Sequence, residues 1–172
     1  MVPTTKEMQR SELHKTIWRI ANDLRGSVDG WDFKTYVLGM MFYRFISENL
    51  TDYINEGEWR AGDTDFNYCN LSNADAKDIF EEMVTEKGFF IFPSDLFVNV
   101  RARAAQDENL NETLEGVFRN IEGSAAGTPS ERDLKGLFAD LDVNSPRLGA
   151  TVAQRNRKLV KVLDAIGDLP LG

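Results

Sequence analysis

The sequence predicts an all-α domain of about six helices around one central buried helix, residues 31–56, with at most one short β piece near residues 89–92. Three observations carry that prediction. Apolar residues recur at helical spacing along most of the chain. Several of these runs are preceded by a side chain able to cap a helix, as in Thr4-x-x-Glu7, Ser72-x-x-Asp75, Ser130-x-x-Asp133 and Thr151-x-x-Gln154. The densest apolar stretch, from Trp31 through Phe33, Tyr36, Val37, Leu38, Met40, Met41, Phe42, Tyr43 and Phe45 to Ile46, is apolar over most of a helical circumference, as expected of a helix packed on several sides. Lys34 and Arg44 interrupt it, so it is not a membrane span.

In chain order, the capping box at Thr4 opens a first helix whose face is Leu13, Ile17, Ile20 and Leu24. It ends near Gly26, where RGSVDG supplies two glycines. Asp29 or Asp32 caps the central helix. Residues 57–71, GEWRAGDTDFNYCNL, lose periodicity and read as a surface loop. The third helix runs from Ser72 to about Lys87 with Ile79, Phe80 and Met83 inward, and Gly88 stops it. Residues 89–92, FFIF, form a buried extended run closed by Pro93. Ser94 or Asp95 caps a short fourth helix holding Leu96, Phe97 and Val100. The fifth helix, about residues 110–121, carries the stripe Leu110, Leu114, Val117, Phe118 and Ile121. EGSAAGTPS, residues 122–130, is the most linker-like segment. A short helix from Ser130 to Phe138 and an irregular turn with Pro146 and Gly149 lead to the last helix, about residues 151–166. Its apolar face is Val152, Leu159, Leu163 and Ile166.

The chain has 172 residues, 42% of them hydrophobic and 28% charged, so one domain with a sizeable core is expected over residues 1–172. A single cysteine, Cys69, excludes an intramolecular disulfide and suits a reducing cytoplasm. Neither a signal region nor a bilayer-spanning run is visible. The net charge of −8 is uneven. Residues 147–161 carry Arg147, Arg155, Arg157, Lys158 and Lys161 and no acid, while residues 162–172 carry Asp164 and Asp168 and no cation. The first 146 residues therefore hold −11. An acidic bulk repels phosphate and argues against autonomous tight DNA binding. It leaves a local basic strip as a candidate contact for DNA or an acidic partner, beside the bland alternative of a solvated helix face balancing the macrodipole.

No catalytic, cofactor or metal constellation emerges. His14, the sole histidine, sits mid-helix beside Lys15 with no nucleophile at hand. Cys69 lies in a polar loop without an activating cation or base. Glu81-Glu82 and Asp107-Glu108 lack the loop spacing of a cation site, and the glycines form neither GxGxxG nor a P-loop. The aromatic run at residues 89–92 has no interleaved Lys or Arg and reads as core.

The segments IWRIANDLRGSVDGWDFK (17–34) and WDFKTYVLGMMFYRFIS (31–47) resemble the N-terminal region of the modification (methyltransferase) subunit of type I restriction–modification systems. GFFIFPSDLF (88–97), LNETL (110–114), GTPSE (127–131), GLFAD (136–140) and RLGATVAQRN (147–156) resemble it in the same order. The resemblance implies a parent subunit that methylates the N6 of adenine in a bipartite DNA site with S-adenosylmethionine. Its expected partners are a specificity subunit, a second modification subunit, a restriction subunit and double-stranded DNA, in a bacterial cytoplasm. The family's Asn-Pro-Pro-aromatic motif and its cofactor loop lie in a following α/β domain. Here the prolines stand isolated at 3, 93, 129, 146 and 170, so no catalytic or cofactor residue carries over. The expectation is a helical N-terminal domain, inactive and without cofactor on its own, that helps clamp DNA and assemble the complex. The alternatives are a pure protein–protein assembly module and a free-standing enzyme. By the same resemblance, the region takes part in distinguishing hemimethylated from unmethylated sites. The polar entry with Arg25, Ser27 and Asp29, which packing does not explain, is a candidate interdomain or subunit contact.

Overall fold

The computed structural model describes residues 30–139 and 141–169, with side chains from residue 36 onward except 137. The predicted first helix, its capping box, His14 and the candidate contacts Arg25, Ser27 and Asp29 lie outside the described residues, as do the side chains proposed to cap the central helix.

The described chain is all-α. Its main helices are α1 (Gly30–Arg60), α2 (Phe80–Lys87), α3 (Phe97–Ala104), α4 (Leu110–Ser124), α5 (Glu131–Ala139) and α6 (Val152–Gly167), with 3-10 turns in the connections before α2, α3 and α6. α1 is the spine. It packs on α6 and α3, α6 also packs on α3 and α4, and α4 packs on α5. One core runs through all of them, with Met40, Tyr43, Leu50, Leu110, Leu114, Ile121, Leu159, Leu163 and Ile166 fully enclosed. Gly39 lets α1 approach the chain after α5 closely, since an added Cβ there would run into the Leu141 side chain.

Elements whose determinants are local follow the sequence. The whole predicted stripe of α4 is buried. Ser72 Oγ accepts from Asp75 N at 3.1 Å, and Thr151 with Gln154 forms a complete capping box. The central helix runs one turn longer than predicted, to Arg60. The predicted third helix divides into a single turn (Asn73–Ala76), a 3-10 turn (Lys77–Ile79) and α2.

Three expectations change, and in each a side chain hydrogen-bonds to a backbone group distant in sequence. The short fourth helix is not capped by Ser94 or Asp95. Its N-cap is Leu96, which cannot cap with its side chain, and Ser47 Oγ of α1 accepts from Phe97 N at 3.1 Å instead. Residues 89–92 are extended as expected, with Phe89, Phe90 and Ile91 buried and Phe92 half-buried, and they pair with no strand among the described residues. Their backbone is satisfied by side chains: Tyr68 Oη donates to Ile91 O at 2.7 Å, and Phe90 N donates to Ser124 Oγ at 2.8 Å. The loop at residues 57–71 is not wholly superficial, because Tyr68 is completely buried and its N–H donates to Asn55 Oδ1 at 2.8 Å. The linker-like segment is docked, with Ala125 buried and Thr128 Oγ1 donating to Gly88 O at 2.7 Å. In the last helix, Val152 at the first position is exposed, and Asn156 occupies the buried face.

Gly88 ends α2 at φ +88°, in the left-handed region. An added Cβ would also meet the Ser130 hydroxyl. Both the backbone conformation and the crowding oppose a side chain. Gly88→Ala is expected to cost about 2 kcal/mol, read as a lowered midpoint in urea unfolding.

Candidate functional site

Of the five predicted basic residues, Arg147 lies in the turn before α6 and Arg155, Arg157, Lys158 and Lys161 lie along the helix itself, and the fold divides them. Ser145 Oγ accepts from Arg147 N and sets the Pro146–Leu148 turn, whose Leu148 is fully buried. That anchor places Arg147 at the surface. Gln154 Oε1 then accepts from the N–H groups of Ala150 and Thr151 at 2.9 and 3.2 Å. Arg155 folds back onto the same turn. Its Nε donates to Gly149 O at 2.9 Å and its Nη2 to Ala150 O at 3.5 Å. Arg155 therefore braces the turn through its Nε and one Nη2 bond, which hold its guanidinium toward that turn.

Arg157, Lys158 and Lys161 differ. Together with Gly149, Ala150 and Gln154 they line one open recess. Positions 157 and 161 are one helical turn apart, with 158 between them, so the three share a face. Among the described residues none of the three pairs with an acid, as is also true of the scattered Lys77, Lys87, Arg103, Arg132 and Lys135, whereas Arg44, Arg60, Arg101 and Arg119 do. The macrodipole does not account for them, since its effect is confined to the terminal turns and these cations stand mid-helix. The end of α6 where cations would be favoured holds Asp164 and Asp168 instead.

Cations from other helices compensate that end. Arg101 of α3 donates to Asp164 at 3.2 Å and Asp168 at 2.5 Å. The Asp168 hydrogen bond is the main reason its guanidinium is held charged even more firmly than usual. Arg44 of α1, almost fully buried, donates from Nη1 to the carbonyls of Ile166 and Leu169 at 2.6 and 2.7 Å. α6 is thus fixed at its C-terminal end, and its free cations are presented from its middle turns.

Asn156, the one buried residue on the same helix with a polar side chain, faces inward. Its Oδ1 accepts from Asn111 N at 3.1 Å and its Nδ2 donates to Glu108 O at 2.9 Å. It caps α4 from a neighbouring helix. Sequence reasoning missed it, as it missed Arg44. The only signal in the sequence was a polar residue interrupting an apolar face.

Cys69 is half-buried, and burial pushes its thiol above the usual range, the opposite of activation. Among the described residues no group of His, Cys, Asp and Glu is arranged to hold a metal ion, and no helix is long and apolar enough to cross a membrane.

The chain matches the family described as the HsdM N-terminal domain over residues 13–166. It is 44% identical over 170 residues to the MpnII methylase subunit of a type I restriction enzyme from Mycoplasma pneumoniae, covering 95% of this chain and 31% of that protein. Its fold is similar to the crystal structure of a type I restriction–modification methyltransferase subunit from Streptococcus thermophilus. The TM-score is 0.73 at 24% identity, over 94% of this chain and 35% of that one. At that identity the likeness speaks for the fold alone. The chain spans about a third of the length of these relatives.

Proposed function

The chain belongs to the HsdM N-terminal domain family, and from that premise we propose that it is the DNA-clamping and assembly domain of a type I methylase subunit. The whole subunit, in this reading, methylates adenine N6 with S-adenosylmethionine bound by a separate domain, and it works with a specificity subunit, a second methylase subunit and a restriction subunit. The present domain supplies neither cofactor nor base contacts. It touches the phosphate backbone through Arg157, Lys158 and Lys161 when the complex closes around the duplex. Phosphate contacts of this kind position a protein on DNA without reading its sequence.

One observation carries the reading: three cations without acid partners share an exposed face of α6 in a chain that is otherwise strongly acidic. A solvated face with no partner would show the mixed charges of the rest of the surface. The acidic remainder prevents free-standing DNA binding and leaves contact to the assembled complex, where other subunits hold the duplex.

The salt dependence of DNA binding by the assembled complex tests this. Removing one cation from the phosphate backbone makes the slope of log K against log salt shallower by about 0.9. Arg157→Gln, Lys158→Gln and Lys161→Gln together are expected to reduce it by about 2–3. Arg155→Gln, at a side chain held toward its own turn, should change the slope by less than any one of the three. An unaltered slope in the triple variant with a weakened complex would favour the second reading, an assembly surface for an acidic protein partner.

A further inference from the structure

An open recess lies beside the start of α2, lined by Lys77, Asp78, Phe80, Glu81 and Phe92, with a volume of about 560 Å³. Its apolar part is the pair Phe80 and Phe92, both half-buried, whose rings stack at 6.1 Å with 21° between their planes. The pair is held from behind. Phe80 meets the buried Phe90 edge-on at 5.1 Å, and Phe90 meets the buried Tyr68. Phe92 is fixed at the mouth by the Pro93–Asp95 turn, where its carbonyl accepts from Asp95 N at 2.8 Å. The rings are therefore the outer end of an aromatic row rooted in the core, and a group laid on them would meet a surface already in place.

The rim is acidic. From residue 75 to residue 86 the chain carries five acids and one cation, Lys77. Among the described residues none of these six is in an ion pair. The helix dipole accounts for Glu81 and Glu82 in the first turn of α2. It does not account for two stacked rings left half-exposed beside them.

The charge selects the occupant. Acids on the rim repel phosphate, so a nucleic acid is disfavoured. A second copy of this chain carries the same net charge of −8 and is repelled on average. A cationic protein segment is attracted, and a large apolar side chain on it would fill the recess as a central anchor within a charged surround. We infer that the Phe80–Phe92 recess is a docking site for a separate protein, which inserts one large apolar side chain carried on a positively charged segment. The site is distinct from the basic face of α6 and opposite to it in charge.

Three short peptides titrated into the full 172-residue chain, isotope-labelled for amide NMR, test this. The first has tryptophan flanked on each side by lysine and arginine. The second has alanine in place of the tryptophan, and the third has glutamate in place of every cation. The first should move the amide signals of residues 77–81 and 92 and leave those of α4 and α6 in place. Its affinity should exceed that of the second by about tenfold, and the third should bind more weakly still. Asp78→Asn with Glu81→Gln removes two exposed charges from the rim and should weaken the first peptide by about fivefold. Should that variant not fold, raising the salt from about 50 to about 500 mM should weaken binding to the unaltered chain in the same direction. Equal affinity for the first and third peptides, or no movement of the recess signals, would overturn the inference. So would stronger movement of the same signals by a single-stranded oligonucleotide, which assigns the rings to bases. Movement with protein concentration alone would assign the recess to a second copy and overturn it as well.

Discussion

Replacing Arg44 with alanine is expected to lower the unfolding free energy of the chain by about 3–5 kcal/mol, the range for removing one partner from a buried charged network. Arg44 is 9% exposed, and its guanidinium holds three acceptors at once. Nη1 reaches the carbonyls of Ile166 and Leu169, and Nε pairs with Glu48 Oε1 at 2.7 Å. The last carbonyls of a helix have no partner within it, and a cation there also meets the negative end of the dipole. Alanine leaves Leu169 O without its Arg44 donor and Ile166 O with backbone N–H partners alone, at about 1–3 kcal/mol for a buried acceptor left unmet. Arg44→Lys should restore only part of the stability, since a point-charge ammonium cannot span the two carbonyls and the carboxylate as the planar fork does. Urea unfolding with an unchanged m-value measures the effect. A decrease under about 1 kcal/mol would mean that water replaces the guanidinium readily.

Tyr68→Ala is expected to cost about 4 kcal/mol, as for truncation of other fully buried aromatics. Tyr68 is enclosed, and its ring meets Phe90 edge-on at 6.3 Å. Its hydroxyl holds Ile91 O, while its N–H is held by Asn55. It joins α1 to the extended run at residues 89–92, which has no sheet partner among the described residues. Tyr68→Phe isolates the hydroxyl and should cost about 1 kcal/mol. Thermal or urea unfolding of the two variants checks both figures. If Tyr68→Ala behaves like a surface-loop substitution, within about 0.5 kcal/mol of the parent, Tyr68 is not the core anchor of this loop.

These two residues also mark where sequence reading stops. Where cause and effect are a few residues apart, the fold is legible. The α4 stripe, the Ser72 cap and the Thr151–Gln154 box are all written locally and all present. The central helix was visible from its apolar density. What α1 does with its polar residues was not. Tyr36 donates to Asp142 O, Tyr43 to Asp95 O, and Ser47 and Asn55 accept from Phe97 and Tyr68. Each partner is distant in sequence, and several are backbone atoms, which carry no residue signature. The motif FYRFIS therefore packs the core and also helps pin distant segments to the spine. The candidate site divides in the same way. The basic strip was evident from charge alone, but only the fold separates Arg155, held toward the carbonyls of its own turn, from the three cations left free.

In the proposed function the Arg157–Lys158–Lys161 face meets DNA when the full complex assembles. The most direct measurement replaces Lys158 with a photoreactive side chain in the assembled complex bound to its DNA site. The expected result is a crosslink to the DNA, with no dependence on the bases at the point of contact. Crosslinks confined to a protein subunit, with DNA bound at full affinity, would contradict it.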